Sequence, residues 1–325
     1  MQQTNNSKKR LFYIDALRAL AMLAVVIGHI PLYLLYAGDY KAANAGSCYS
    51  YFMNTFHLSL FVFLSGFVSP EGPFRLQKKL KILIPFFLFG VAYAYLTGSD
   101  LIDFLWNEAK SGYWFLLVIV YFFALLWIIK HMRINLFLGM LGGEILFWGI
   151  YHIAPDFSQN ALSITKTLSL WPFFMFGVVC KKYDLTEKLA HYPYLSLVAL
   201  VAYIAFYRLK LPFNGWIMPL SMIIFLVVGL RTIERHIGKY HLATNLGEGV
   251  ALISIIGRNT IQIYTIHYFF LYGLQSLNIS KTISGNYMSQ IEFFASPLLA
   301  LLIAMGCVGI AHILYKLKLG FVFGR

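Results

Sequence analysis

The stretch "RLFYIDALRALAMLAVVIGHI", residues 10–30, is apolar but contains Asp15, Arg18 and His29. A run of this length is typical of a membrane-crossing helix, which needs about 20 predominantly apolar residues. Ionisable side chains are energetically expensive inside such a helix and are candidates for function by default. The stretch therefore predicts both a membrane protein and a set of functional groups on its first helix.

Similar apolar runs recur along all 325 residues, of which 59% are hydrophobic and only 12% charged. A soluble domain carries about 25% charged residues, roughly twice as many. We therefore predict an all-α integral membrane protein, a bundle of about ten transmembrane helices. The apolar runs lie near 11–34, 51–69, 80–97, 113–130, 134–153, 166–181, 192–209, 214–230, 249–274 and 291–315.

The 26 basic residues indicate which way the chain is oriented. If the ten runs cross in alternation, eighteen basic residues fall on one side and six on the other, while Arg18 and Arg258 lie inside runs. Cytoplasmic connections are enriched in Lys and Arg, so both termini are predicted to be cytoplasmic. This pattern explains the formal net charge of +13 without a nucleic-acid partner. The predicted organisation is a cytoplasmic tail over 1–10, one transmembrane domain over 11–315 and a cytoplasmic tail over 316–325.

Arg18 and His29 are eleven residues apart, which is three helical turns plus about 20°. They therefore share one face of the first helix, and Asp15 precedes Arg18 by three residues on the same side. The three groups are predicted to form a polar stripe that runs inward from the cytoplasm. Two other interpretations stay open: Asp15 and Arg18 at the headgroup boundary, where long side chains reach water, and His29 as a structural histidine.

Other polar groups lie in later runs. The second run contains His57 and Ser65 in "FHLSLFVFLSGF", where Ser and Gly are also ordinary packing residues. In the ninth run Arg258 precedes His267 by nine residues, which predicts opposite faces of one helix, whereas Tyr264 and His267 share a face. Glu144 is either a partner of one of these cations or an acid satisfied by packing.

Five segments, in this order, resemble the acyltransferase 3 family of integral membrane acyltransferases. The first-run segment "IDALRALAMLAVVIGH" looks like the family's signature of an acidic residue, an arginine and, after ten intervening residues, a histidine. Ala19 stands where glycine commonly follows the arginine. The chain looks most like the fucose 4-O-acetylase-like branch. The other segments are "LFVFLSGF", "YWFLLVIVYFF", "PFFMFGVV" and "IGRNTIQIYTIH".

The resemblance implies an O-acyltransferase in the inner membrane of a bacterium. Such enzymes usually move acetyl from acetyl-CoA to a hydroxyl of a surface or envelope carbohydrate, free or lipid-linked. We expect no metal cofactor and no esterase-like domain of the kind some members carry, so the need for a partner protein stays open. The expected roles are catalysis by His29, Arg18, Asp15 and His267, donor binding by Arg18, Arg258, Arg75 and Lys78, and acceptor binding by His57, Ser65, Trp114 and Glu144.

The residues are compatible with that chemistry. Coenzyme A is a polyanion and needs basic groups at the cytoplasmic mouth. His29 is expected to act as a general base on the acceptor hydroxyl or, like His267, to carry the acyl group briefly. A transporter or flippase of lipid-linked sugars is the alternative class, since buried charges also serve ion coupling. A membrane sensor that has lost the chemistry is a third.

Overall fold

The computed structural model describes residues 12–209, 212–237, 247–277 and 285–324, and within them the chain is helical, without strands. The predicted tail over 1–10 lies outside the described residues. The second predicted tail begins at Lys316, where the last long helix ends, and Arg325 is not described. The helices are α1 Phe12–Leu34, α2 Tyr40–Gly46, α3 Cys48–Asn54, α4 His57–Phe67, α5 Leu76–Leu80, α6 Leu83–Leu96, α7 Leu101–Leu105, α8 Trp114–His131, α9 Leu136–Ile153, α10 Pro155–Asn160, α11 Ile164–Lys182, α12 Leu185–Leu189, α13 Tyr194–Leu209, α14 Asn214–Ile237, α15 Gly247–Arg258, α16 Thr260–Ser276 and α17 Gly285–Lys316, with 3₁₀ turns at Lys110–Gly112 and Gly320–Phe323.

Six stretches of the described residues are long and apolar enough to cross a membrane, as judged by length and composition. The protein is therefore a multi-pass membrane protein. The other predicted runs form helices that are shorter, more polar or interrupted, so the count of ten and the cytoplasmic position of the termini stay predictions. The six stretches are Phe12–Leu34, Leu76–Leu96, Trp114–His131, Leu136–Ile153, Asn214–His236 and Glu292–Lys316.

Helix α1 lies at the centre of the bundle and packs against α3, α4, α14, α15, α16 and α17. Most of its residues are buried, including Leu17, Met22 and Val26, none of which is exposed at all. The polar stretch is thus inside the protein and not on its lipid-facing surface. Asp15 and His29 are 14 residues apart on α1, which places them about 21 Å apart along the helix axis. We therefore call the end of the bundle where α1 begins the "Asp15 end" and the opposite end the "His29 end".

Two glycines let α4 and α11 touch backbone to backbone. A Cβ atom added at Gly66 would lie 2.0 Å from the Phe174 carbonyl oxygen, and one added at Gly177 would lie 2.0 Å from that of Phe63. Small residues allow this close approach, which is a common way for membrane helices to associate. We call this contact the glycine seam.

The ninth predicted run is not one helix, because the chain breaks at Asn259 between α15 and α16. The Asn259 side-chain amide donates to the Ile255 carbonyl (2.8 Å), a local bond of the kind that competes with helix continuation. The prediction that Arg258 and His267 lie on opposite faces of one helix is therefore wrong, since they lie on different helices. The prediction that Tyr264 and His267 lie on the same helix face is confirmed, since their ring centroids are 5.7 Å apart.

Candidate active site

A cavity of about 630 Å³ opens at the His29 end, between the last turns of α1, the first turns of α4, α8, α11 and α14, and α16. Its lining combines aromatic rings with hydroxyl and amide groups. This mixture is typical of small-molecule sites, in which apolar walls carry a few placed polar groups. The rings are those of Tyr33, Tyr40, Tyr51, Trp114, Phe115, Tyr264 and Tyr268, and the neutral polar side chains are those of Asn54, Thr55, Ser59, Ser169 and Asn214.

Two histidines line this cavity, His29 from α1 and His57 from α4. Nδ1 of His29 is 2.6 Å from the Val25 carbonyl oxygen, and Nδ1 of His57 bonds to the Met53 carbonyl. A carbonyl oxygen only accepts hydrogen bonds, so Nδ1 is the protonated nitrogen of each ring. In the uncharged form of this tautomer, the lone pair of Nε2 stays accessible to another partner, as a general base requires.

His267 lies behind His29 on α16 and is fully buried. Its ring centroid is 5.7 Å from that of His29, in an edge-to-face arrangement. The ring of Tyr268 lies edge-on to His29 at 5.6 Å and tilted against His267 at 4.1 Å. Nδ1 of His267 is satisfied by the carbonyls of Ile263 and Tyr264, whereas its Nε2 has no hydrogen-bond partner among the described residues. A buried polar atom left in this state is unusual and calls for an explanation.

The tyrosines beside the histidines are fixed by one glycine. Hydroxyls of Tyr264 and Tyr268 both donate to the Gly112 carbonyl, at 2.6 and 3.2 Å. Gly112 has φ +92°, and a Cβ atom there would lie 2.4 Å from the Tyr268 ring. Only glycine accepts this backbone conformation and this close approach without strain. Gly112 thus holds α16, with His267, against the loop that precedes α8.

An ion pair lies at the cavity wall. Lys166 Nζ is 3.4 Å from Glu108 and 5.7 Å from the centre of the Trp114 ring, and Thr165 donates a hydrogen bond to Glu108. Burial raises the pKa of Glu108, but the bonds from Thr165 and Lys166 outweigh it and hold that pKa below its usual value. The carboxylate is therefore ionised at neutral pH. Sequence reasoning missed this pair because its members are distant in the chain.

The loop that carries Glu108 is held by a buried lysine. Lys110 is 1% exposed, and its Nζ donates to the carbonyls of Leu105 (2.6 Å), Asn107 (3.0 Å) and Asn160 (2.6 Å). Burial lowers the pKa of Lys110 to about 8, against the opposing effect of Glu108. No pattern in the sequence predicts this role, because Lys110 is there indistinguishable from a solvent-exposed lysine in a loop.

The remaining predicted site residues lie elsewhere. Ser65 donates to the Phe61 carbonyl (2.9 Å) one turn earlier in α4 and does not line the cavity. Glu144 lies on α9, which packs on α8, α10 and α11, and is outside the cavity too. Its Oε1 is buried without a hydrogen-bond partner among the described residues. Among the described residues, this oxygen therefore has neither the cation partner nor the hydrogen bond from neighbouring side chains that the two interpretations of Glu144 predicted.

The groups predicted for the donor lie at the opposite end. Arg258 Nε is 3.4 Å from Asp15 Oδ2, and Gly257 allows this approach because a Cβ atom there would lie 2.1 Å from the Asp15 carbonyl oxygen. Arg18 is half-buried and close enough to Lys79 for their charges to interact, while Arg75 and Lys78 are exposed. Asp15 and Arg18 are therefore separated from the His29 cavity by several turns of α1.

Comparison with protein families identifies the family of the chain. A family model described as an acyltransferase domain matches residues 11–316, which is nearly the whole chain. No curated protein and no solved structure matches the chain significantly. Because the match covers far more than half of the chain, the chain belongs to the acyltransferase 3 family of membrane acyltransferases.

Proposed function

We propose that the protein is an O-acyltransferase that moves acetyl from acetyl-CoA to a hydroxyl of a surface or envelope carbohydrate. The observation that carries this proposal is the cavity in which His29 and His57, each bonded to the backbone through Nδ1, face a set of aromatic and hydroxyl side chains. A base beside a site for a polar acceptor is what transfer to a hydroxyl needs.

A carbohydrate acceptor suits the lining of the cavity. Sugar rings present apolar C–H faces that stack on aromatic side chains, and the rings of Trp114 on α8 and Tyr268 on α16 line the cavity. The hydroxyl groups of a sugar both donate and accept hydrogen bonds, and the side chains of Asn54, Ser169 and Asn214, which line the cavity, do the same. A purely lipid-like acceptor would leave these polar groups unpaired, at a cost of about 1–3 kcal/mol each.

For the chemical step, we propose that Nε2 of His29 removes the acceptor's hydroxyl proton as the oxygen attacks the thioester carbonyl. The resulting tetrahedral intermediate collapses, the C–S bond breaks, and the departing coenzyme A thiolate takes up the proton. General-base help of this kind typically contributes about 10²–10⁴ in rate. A covalent role, in which His29 carries the acetyl group, uses the same nitrogen. His267 is the weaker carrier because it is fully buried behind the cavity wall.

Acetyl-CoA is expected to approach from the cytoplasm, and we propose that this is the Asp15 end. Arg18, Arg258, Arg75 and Lys78 are available there for its phosphates, since guanidinium and ammonium groups both bind phosphate well. The ion pair with Arg258 suggests that Asp15 orients this arginine and takes no part in the chemistry. Membership of the fucose 4-O-acetylase-like branch and a bacterial inner-membrane location are parts of the same proposal.

The break at Asn259 is the kind of interrupted span that a flippase of lipid-linked sugars would also use. An assay of both activities separates the two functions. The full chain, purified into nanodiscs, is given radiolabelled acetyl-CoA and isolated envelope glycans. We expect label in the glycan as an alkali-labile ester, and a loss of at least 100-fold for His29→Ala.

His152→Ala is the matched control, because His152 also bonds through Nδ1 to a carbonyl four residues earlier but is exposed on α9. It should leave the transfer rate unchanged. Sugar movement across vesicles without any ester formation would overturn the transferase proposal, and full activity of His29→Ala would overturn the role of His29.

A further inference from the structure

A second cavity, of about 440 Å³, lies at the Asp15 end among the segment that follows α4, the last residues of α8 and α11 and the start of α9. None of the residues predicted for donor binding lines it. Four cationic side chains and a single carboxylate do so, namely those of Lys130, Arg133, Lys181, Lys182 and Glu71.

The existing contacts in this pocket neutralise only part of its charge. Lys181 Nζ is 3.4 Å from Glu71, and Lys130 donates to the Pro70 carbonyl. Arg133 and Lys182 are exposed and form no ion pair with any carboxylate of the described residues. Two cations at the mouth are thus available to a ligand.

The helix dipoles at this pocket do not neutralise its remaining positive charge. The carboxyl ends of α8 and α11 point to the pocket, and each is equivalent to roughly −0.5 of an elementary charge. Together with Glu71 they amount to about −2 against four positive side chains. A net positive charge of about two therefore remains in a concave site between helices.

We infer that this pocket binds a phosphate-bearing anion, with a diphosphate or two neighbouring phosphates as the best match in charge. Arg133 suits a phosphate as a forked donor, and the lysines suit it as point charges. Basic pockets between membrane helices also bind anionic lipid headgroups. The same chemistry therefore has two sources, the nucleotide part of coenzyme A and a lipid phosphate.

The pocket is separate from the acceptor cavity. Lys166, at the wall of that cavity, and Lys181 are on the same helix, about 22 Å apart along its axis. Between them the glycine seam and the rings of Trp171, Phe174 and Phe122 fill the space. An anion here acts at a distance from His29. If its source is coenzyme A, the inference rests on the proposed function and adds Arg133 and Lys182 to the groups proposed to bind the nucleotide.

Binding, measured without any acyl transfer, tests this inference. The full chain is placed in phosphatidylcholine nanodiscs and titrated with coenzyme A by calorimetry, with inorganic pyrophosphate as competitor. A second arm measures by native mass spectrometry how much phosphatidylglycerol the protein retains from mixed nanodiscs. The test variant is Arg133→Gln with Lys182→Gln, and the control is Lys188→Gln with Lys316→Gln, which removes the same charge from exposed positions.

We expect the test variant to weaken one arm at least tenfold and the control to change neither by more than twofold. Loss in the coenzyme A arm identifies the nucleotide as the source, and loss in the lipid arm identifies the headgroup. Wild-type binding in both arms by the folded test variant overturns the inference, whatever the transfer assay shows. If the double variant does not fold, Lys182→Gln alone should weaken one arm about threefold, and no change would again overturn it.

Discussion

The imidazole rings of His29 and His267 meet edge to face, 5.7 Å between centroids, although 238 positions of sequence separate them. His29 lines the cavity and His267 does not, so the two rings form an inner and an outer layer of the same site. The outer ring faces the cavity, and Nε2 of the inner ring has no hydrogen-bond partner among the described residues. This arrangement suits an inner residue that positions and polarises the outer one.

We expect His267→Phe to lower the rate of transfer about tenfold while leaving the protein folded. Phenylalanine keeps the ring packing but removes Nε2, so a purely structural role would leave the rate unchanged. Initial rates with saturating donor, together with the melting temperature, check this. His312→Phe, on the exposed side of α17, is the control.

Trp114→Ala should raise the KM for the acceptor about tenfold with little change in kcat. The indole lines the cavity wall and contributes stacking surface, but it is not placed to handle the proton. Acceptor titrations at saturating donor measure both constants. Trp148→Ala, at a ring exposed on α9, should change neither constant, and an unchanged acceptor KM in Trp114→Ala would contradict this part of the site.

Gly177→Val should destabilise the bundle through the glycine seam. Its side chain would collide with the Phe63 carbonyl, a backbone group that cannot rotate away, and overpacking of this kind typically costs 1–3 kcal/mol or more. Thermal unfolding in detergent measures the effect. Gly142→Val, where no atom of another described element lies within 4 Å, should be neutral. Equal melting temperatures for the two variants would show that the seam tolerates separation.

Lys110→Met should also destabilise the protein, for a different reason. The change keeps the length of the side chain but leaves the carbonyls of Leu105, Asn107 and Asn160 without this donor. Unpaired buried groups cost about 1–3 kcal/mol each. The exposed Lys41→Met is the control. A melting temperature within one degree of the wild type would show that the three carbonyls find other partners.

Acid should weaken the Glu108–Lys166 pair. Because the folded-state pKa of Glu108 is below its ordinary value, the pair contributes stability at neutral pH and loses it as pH falls through that lowered pKa. The melting temperature of the wild type should therefore fall further between pH 6 and pH 3 than that of Glu108→Gln. Parallel curves for the two proteins would contradict the ionised pair. Asp103→Gln, in the preceding exposed helix, should follow the wild type.

The sequence predicted much of this architecture because its strongest signals are local. Hydrophobic runs and helical spacing placed Arg18 and His29 on one helix, but they gave no prediction that His29 and His267 meet. The break at Asn259 was missed because its cause is one side-chain bond within a long apolar run. Glu108, Lys166 and Lys110 were missed because loops far apart in sequence create their surroundings. Glu144 and Ser65 were assigned from polarity and depth, which do not reveal which helix face meets a cavity.

The glycine seam also bears on how solvent can move between the two ends of the bundle. Where α4 and α11 touch backbone to backbone, a water molecule has no space to enter between them. The seam therefore closes the contact between α4 and α11 to a continuous file of solvent between the two ends of the bundle.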